Sequence, residues 1–431
     1  MQILPTMISE FSTQVNLCLL SRPKLQEMFG KCFTNTLETT VELMEDTTFV
    51  ITGDIPAMWL RDSSAQVRQY MPLIPKDLEL ERMVAGLIKR QMMYIAIDPY
   101  ANAFNKDPDY QGHKSDITDA NPWVWERKYE IDSLCYPVQL SYMFWKAAGK
   151  TYIFDDCFKN SINIILKHWK TEQRHHEESS YRFARMNCPP SDTLRNQRMG
   201  MPVNYTGMTW SAFRPSDDAC RFGYLIPSNM FAVVVLGYIN EIALMVYEDA
   251  EMAASAAQLQ EEIRYGIETY GIYRHPEFGN IYAYETDGFG NYNLMDDANV
   301  PSLLASPYFG YSTKEDVRYR NTRRFILSKQ NDYFYEGSYG KGIGSPHTPK
   351  GYIWHIGLIM QALTSQDEKE ITGIIDMLEK TDAGTGFMHE SFNPNNPADF
   401  TRPWFAWANS LFAELVIKLV SETSILSNLH A

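Results

Sequence analysis

The 431-residue chain is predicted to be all-α, an (alpha/alpha)6 barrel or six-hairpin toroid with minor β decorations. Three observations predict it: a recurrent loop-to-helix pattern, amphipathic stretches interleaved with it, and a scarcity of strand-like runs. In the pattern, a loop rich in Gly, Pro, Asp and aromatic residues runs straight into an apolar helical stretch. It occurs six times, beginning at residues 55, 129, 222, 293, 349 and 401. Each interval has room for a helical hairpin and a loop, and six hairpins can close into a ring. The inner helices of such a ring present the same end to one face, where their preceding loops meet at a shared pocket.

In chain order, the first loop (Ile55-Pro-Ala-Met-Trp-Leu-Arg-Asp-Ser-Ser) leads into an inner helix over Ala65 to Ile74. The second, Tyr129-Glu-Ile-Asp-Ser, leads into Leu134 to Ala148, and the third, residues 222–229, into Met230 to Tyr247. The fourth, residues 293–299, precedes Val300 to Leu304; the fifth, 349–355, precedes Ile356 to Leu363; the sixth, 401–406, precedes Trp407 to Val420. Between them, Leu78 to Asp98, Asp155 to Thr171, Ala250 to Thr269 and Ser365 to Lys380 carry the apolar spacing of half-exposed surface helices. Strand-like runs are confined to Thr48 to Thr52, Tyr181 to Ala184 and Asn280 to Tyr284. No linker or composition break divides the chain, so residues 1–431 are expected to form one catalytic domain.

Hydrophobic residues make up 45% and charged residues 21%, which describes an ordinary globular protein with ample core. The net charge of -14, without any Lys/Arg block, would repel a phosphate backbone and argues against nucleic acid. A neutral sugar is indifferent to that charge, and aromatic residues at 13% offer flat faces for pyranose rings. The six cysteines lack metal-site or disulfide-framework spacing and are read as reduced. The N-terminus shows no basic segment followed by a continuous apolar one, and no run of eighteen apolar residues occurs. A cytoplasmic protein without a membrane span is expected.

The chemistry is concentrated in Arg214-Pro-Ser-Asp-Asp218 and Gly386-Phe-Met-His-Glu390-Ser-Phe, each of which places an acid among aromatic, glycine and proline residues. Cleaving a sugar acetal requires one carboxylic acid to protonate the leaving oxygen and one carboxylate to activate water or attack. Taken singly, the Asp fits a helix cap and the Glu an ion pair; together they suit a glycosidase. Two adjacent acids also raise the pKa of one, and these residues leave Asp217 and Asp218 open for the donor's part. Trp59, Arg61 and Asp62 supply a stacking face, a donor fork and an acceptor within four residues. Asp132, Asp296 and His355 stand at the mouths of the second, fourth and fifth inner helices, and Arg214 precedes the Asp pair. These are candidates for gripping sugar hydroxyls, with helix capping or a surface ion pair as the plain alternative. Trp123, Trp125 and Trp404 suit platform or core equally.

His175-His176-Glu177-Glu178 looks like a metal run but lies in a charged stretch that reads as a solvated helix face. Phosphate-cradling, dinucleotide and nucleophile-elbow motifs are lacking, and no metal or cofactor is expected. The glycine-rich residues 337–345 ahead of the fifth inner helix read as a flexible rim.

The segments Gly53 to Ser64, Asn121 to Ser133, Arg214 to Asp218 and Gly386 to Phe392 resemble those of glycoside hydrolase family 125, over residues 25 to 420. The resemblance implies a metal-independent, inverting exo-alpha-1,6-mannosidase on an (alpha/alpha)6 fold, acting on mannose-containing oligosaccharides and serving N-glycan degradation. It implies Asp218 as general acid and Glu390 as general base. Two other readings stay open: a sugar epimerase or isomerase on the same toroid using His355 and His389, and a glycan-binding protein without catalysis.

Overall fold

The computed structural model describes residues 6–119 and 121–422. Helices dominate it: α1 Thr6–Cys18, α2 Pro23–Thr39, α3 Leu60–Ala65, α4 Leu78–Ile97, α5 Ile131–Ala148, α6 Asp156–Glu172 and α7 His175–Glu178 in the first half. The second half adds α8 Ile226–Met245, α9 Ala250–Tyr270, α10 Val317–Ile326, α11 His355–Leu363, α12 Glu368–Thr381 and α13 Ala406–Ser421.

The helices form an inner set and an outer set. Helix α3 packs on α5, α5 on α8, α11 on α13, and α13 back on α3. Against them lie α4 on α5, α9 on α8, α12 on α11 and α2 on α13. One contiguous cluster of buried apolar side chains runs through both sets, from Ile8 to Leu419. Helix α8 shows how the inner set is built. It is apolar on all sides and, by length and composition alone, could cross a membrane. Its faces are instead taken up by α5 and α9, as expected of a helix hydrophobic all round in a protein core.

Two of the expected inner helices differ from the sequence reading. Over Ala65 to Ile74 the α-helix stops at Ala65, and a 3-10 helix occupies Arg68–Lys76. Pro72 and Pro75 lie within it, and each removes an N–H that an α-helix would need. Over Val300 to Leu304 the chain forms turns rather than a helix. Asp296 organises them, accepting the N–H groups of Leu303 at 2.8 Å and Leu304 at 2.9 Å. This turned segment fills the gap between α8 and α11. Phe309 packs on Phe231 of α8 with ring centroids 5.2 Å apart, and Ala298 lies so close to Gly357 of α11 that a Cβ there would sit 3.2 Å away.

Residues 181–184 form a single bridge, Ile117 to Ala184, rather than a strand. Thr48–Val50 pairs with Val41–Leu43, and Gly279–Tyr282 with Ile272–His275. Three further sheets, each three-stranded, stand at the entrances of inner helices. Met58–Trp59 precedes α3, Tyr224–Leu225 precedes α8 and Ile353–Trp354 precedes α11. These small sheets fix the backbone direction from which each helix starts, all at the end where the site lies.

His175 and Glu172 are buried, not solvated: the imidazole meets the carboxylate at 2.6 Å and stacks on Trp210 at 3.5 Å. Among the described residues no group of His, Cys, Asp and Glu could hold a metal ion. The six cysteines are unpaired.

Candidate active site

The floor of the site is built from the first turns of α3 and α5. Trp59 ends a two-residue strand, and its N–H is tied to Thr52 Oγ1 at 3.0 Å, so the chain enters α3 with Arg61 and Asp62 in the first turn. The Arg61 guanidinium is buried and reaches Glu130 at 2.6 Å, Asp132 at 3.2 Å, Asp62 at 3.5 Å and Asp217 at 3.6 Å. Four acids around one Arg cannot all ionise cheaply in a buried place. Burial pushes Glu130 well above the usual carboxylate range, and the nearby Asp217 and Asp132 add to the rise against the pull of Arg61. Burial likewise pushes Asp132 up, and Asp62 up to about 6.

The second wall is the loop 214–218. Asp217 adopts a left-handed backbone conformation, φ +65°, which Asp tolerates better than most residues. The Asp217 N–H bonds Arg214 O at 2.9 Å, and the Arg214 N–H bonds Asp218 O at 2.8 Å, closing a tight turn. The turn sends the two neighbouring carboxylates different ways. Asp217 faces Arg61, accepts from Asn102 Nδ2 at 3.1 Å, and has the Lys128 ammonium bonded to its own backbone carbonyl at 2.8 Å. Burial would raise this carboxyl, but Arg61 and Lys128 outweigh burial and hold it well below the usual range. Asp218 accepts from Ser216 Oγ at 3.0 Å and lies 3.6 Å from His347 Nδ1. The expected mutual perturbation of the Asp pair is thus replaced by a pairing of Asp217 with Arg61 and Lys128.

Glu390 stands opposite, in the loop that α13 holds through Asn409, whose Oδ1 accepts the Met388 N–H at 2.8 Å. Its Oε1 accepts from Arg402 Nε at 3.1 Å, and Arg402 is also paired with Asp54. A cleft joins these parts, with Trp59, Arg61, Asp62, Asp217, His347 and Glu390 in its lining. Trp354, Trp404 and Trp407 add aromatic walls. Asp218 is reached through His347, its own side chain being largely buried.

The structure therefore brings Trp59, Arg61, Asp62 and Glu390 into one cleft, with Asp218 at its wall and Asp132 directly behind Arg61. Arg214, Asp296 and His355 do not line it. Arg214 is buried against Glu285 at 2.7 Å, and Asp296 is occupied by two backbone N–H groups, with burial raising its pKa to about 8. His355 is fully buried between the His389 N–H at 2.8 Å and Thr381 Oγ1 at 3.0 Å, and burial lowers its pKa to about 3. His389 stacks on Phe400 and meets the carbonyls of Arg402 and Asp382, so neither His faces the cleft. Trp404 is half-buried in the cleft wall. Trp125 packs against the Ala57, Trp59 and Ala103 cluster, and Trp123 against Tyr94.

Glu130, Lys128, Asn102, Arg402 and His347 escaped the sequence reading. For the first two a signal existed: Glu126, Arg127, Lys128, Glu130 and Asp132 form a dense charge run inside an otherwise apolar stretch. The rim that carries His347 is also better built than expected. Residues 341–343 pair with 334–336, and Ser345 is buried.

A family model described as metal-independent alpha-mannosidase (GH125) matches residues 22–417. A solved structure of a Streptococcus pneumoniae metal-independent alpha mannosidase, in a non-productive complex with alpha-1,6-mannobiose, superposes with a TM-score of 0.94 and 49% identity, covering 96% of this chain and 98% of that one. The meiotically up-regulated gene 157 protein of Schizosaccharomyces pombe is 39% identical over 419 residues, 92% of this chain and 82% of that protein. A glycosidase variant bound to glucose superposes with a TM-score of 0.54 at 12% identity, covering 92% of this chain and 97% of that one, a likeness of fold alone.

Proposed function

This chain belongs to the GH125 metal-independent alpha-mannosidases and is a glycoside hydrolase; on that premise we propose that it removes terminal alpha-1,6-linked mannose by one-step inversion. The observation that carries the assignment of roles is the different engagement of the two adjacent acids. Asp217, held ionised by Arg61 and Lys128, has no proton to give. Among the described residues the Asp218 carboxylate is paired with neither cation and meets Ser216 and His347, which leaves it as general acid. Glu390 accepts from Arg402 with Oε1, so Oε2 is left to draw the proton from an attacking water. Inversion needs a water between sugar and base, on the face opposite the leaving group. Trp59, Arg61 and Asp62 grip the terminal mannose, and the aromatic walls flank it.

The mannobiose held by the Streptococcus pneumoniae relative supports the linkage. The inner helices with the turned segment 296–310, and α2, α4, α6, α9, α10 and α12 outside, make six pairs, an (alpha/alpha)6 toroid forming one catalytic domain. A cytoplasmic enzyme acting on mannose-containing glycans, including those released from N-glycans, fits the unpaired cysteines.

The test is hydrolysis of alpha-1,6-mannobiose followed by proton NMR. Beta-mannose should appear first, the alpha anomer growing only by mutarotation; initial alpha-mannose would mean retention. Asp218→Asn should lose about 10²- to 10⁴-fold on the disaccharide and much less on mannosyl fluoride, whose leaving group needs little protonation. Glu390→Gln should fall on both. An epimerase would give a new sugar without cleavage and a binding protein no product.

A further inference from the structure

The acid and base assigned above leave His347 without a task, although it is the side chain nearest Asp218 across the cleft. Its position is built rather than incidental. Ser345 Oγ donates to the buried Asp297 at 3.1 Å and accepts the His347 N–H at 3.2 Å. Asp297 is in turn held by the Asn299 N–H at 3.0 Å and Nδ2 at 2.9 Å. On the other side, Trp354 Nε1 donates to Thr348 Oγ1 at 2.8 Å, and its ring stands edge-on to the imidazole. Held through its backbone and with its side chain 37% exposed at the cleft, His347 has Nδ1 3.6 Å from Asp218 Oδ2.

The charged groups facing His347 are Asp217 and Asp218 from the loop 214–218 and Glu390 from the loop 386–390. The site's cations are taken up elsewhere. Arg61 and Lys128 are engaged by Asp217, Glu130 and Asp132 or Glu126 and Asp192, and Arg402 by Glu390 and Asp54. An imidazole facing three carboxylates gains a proton readily.

We infer that His347 is a positioning residue that shares one proton with Asp218 and so keeps the general acid supplied at and above neutral pH. The inference rests on the reading of Asp218 as the acid. At rest the shared proton is held between His347 Nδ1 and Asp218 Oδ2. As the glycosidic oxygen arrives, the proton passes from Nδ1 to Asp218 and from Asp218 to that oxygen, which receives the electron pair of the breaking bond to the anomeric carbon. Water forms the new bond to carbon, and its proton goes to Glu390. The neutral His347 regains a proton from solvent and Glu390 releases one, so the cycle closes. Two groups that share a proton titrate as a pair. Burial pulls the imidazole down, but Asp218, Asp217 and Glu390 raise it to about 9, whereas a lone carboxyl ordinarily releases its proton near pH ~4.

The experiment is the pH profile of kcat/KM from pH 4 to 10 for wild type, His347→Gln and His347→Ala, on alpha-1,6-mannobiose and on mannosyl fluoride. Wild type should hold its activity on the disaccharide until near pH 9. Both variants should lose the descending limb by two or more pH units, a loss of at least about 10²-fold at pH 8 and a much smaller one at pH 5, and on the fluoride the limb should not move. A descending limb that stays in place in folded His347→Gln, or a loss equal at pH 5 and pH 8 and on both substrates, overturns the proton-sharing role. Asp218→Asn separates the two readings. If it stays active on the disaccharide, the acid assignment itself has failed; if it is inactive while the His347 limb is unmoved, only the His347 inference has failed.

Discussion

Apart from α2, which starts behind Arg22 without a side-chain cap, the outer helices begin in the opposite way to the inner ones. Helices α4, α6, α9, α10 and α12 start behind Asp77, Asp155, Asp249, Asp316 and Asp367, whose carboxylates each accept a first-turn N–H. Helices α3, α5, α8, α11 and α13 start behind Trp59, Glu130, Leu225, Trp354 and Phe405, and none has a side-chain cap. An outer carboxylate thus settles a local debt of the backbone and stays near water. The acids of the inner starts, Asp62, Glu130 and Asp132, leave that task undone and gather on Arg61 instead. Uncapped N-termini with their partial positive charge then converge on the cleft, where an oxygen-rich ligand can meet them. The outer helices use their acids as caps, and the inner starts gather theirs on Arg61.

The largest expected effect comes from removing the hub of the inner arrangement. Arg61→Ala would leave Asp62, Asp132 and Asp217 buried without their shared cation, and breaking such a pair costs about 3–5 kcal/mol. Urea unfolding at pH 7 should show that loss, and part of it should return at pH 5, where the orphaned acids take up protons. A stability close to wild type at pH 7 would mean that the inner acids do not depend on Arg61.

Asp62 gives the second effect, and it depends on pH. Its folded pKa of about 6 lies above the ordinary value of 3.8, so between these values the folded protein keeps a proton that the unfolded chain has released. The stability that this group contributes is full below pH ~4 and is lost as pH rises through 6. Asp62→Asn abolishes that loss. It should be more stable than wild type at pH 7.5, by up to about 3 kcal/mol, and indistinguishable at low pH, while mannobiose hydrolysis falls because the acceptor is gone. Thermal unfolding at pH 5 and pH 7.5 checks it; a pH-independent difference would place the ionised Asp62 comfortably in the fold.

At the outer ring the effect is smaller and carries no functional cost. Asp249→Ala should cost about 1 kcal/mol and leave kcat/KM for mannobiose unchanged. A change in activity would show that the two rings are coupled.

Sequence periodicity located the long helices well: α5, α8, α9 and α13 lie within a few residues of the expected bounds. It missed where local pattern and tertiary demand part company. Val300 to Leu304 is apolar but short and contains Pro301, and Asp296 claims its N–H groups for a turn. His175 stands in a run of charges, yet Trp210, 35 positions later, covers it. The same distinction runs through the site. Trp59, Arg61 and Asp62 were legible because they cluster within one turn, and Glu390 because its segment is unusual. Arg402 on Glu390 and His347 on Asp218 join residues that are remote or lie in separate loops, and no spacing rule records such a meeting. Asp296 and His355 are helix-mouth residues by the repeat and Arg214 a candidate by its place before the Asp pair; burial beside Leu303, Thr381 and Glu285 turns each inward.

The smallest expected effect is the sharpest test of how the inner ring manages its charge. Glu130 is fully buried, and its Oε2 takes bonds from Arg61 Nη1 at 2.6 Å and Ser133 Oγ at 2.8 Å. Its other oxygen has no conventional donor. The pair of carboxyls makes sense if Glu130 is the protonated member and donates to Asp217, which Arg61 and Lys128 keep ionised. Gln reproduces that state: its carbonyl can accept from Arg61 and Ser133, and its amide N–H can donate to Asp217. Glu130→Gln should therefore change stability by less than about 1 kcal/mol, the worth of one ordinary hydrogen bond, and leave mannobiose hydrolysis within a few-fold of wild type. Asp217→Asn removes the ionised member instead. It leaves Arg61 and Lys128 less well paired and should cost more than Glu130→Gln, although Asp218, the donor proposed above, remains. If chemical denaturation put the two variants in the opposite order, the proton would belong to Asp217, and the argument that sets Asp218 apart from its neighbour would lose its support.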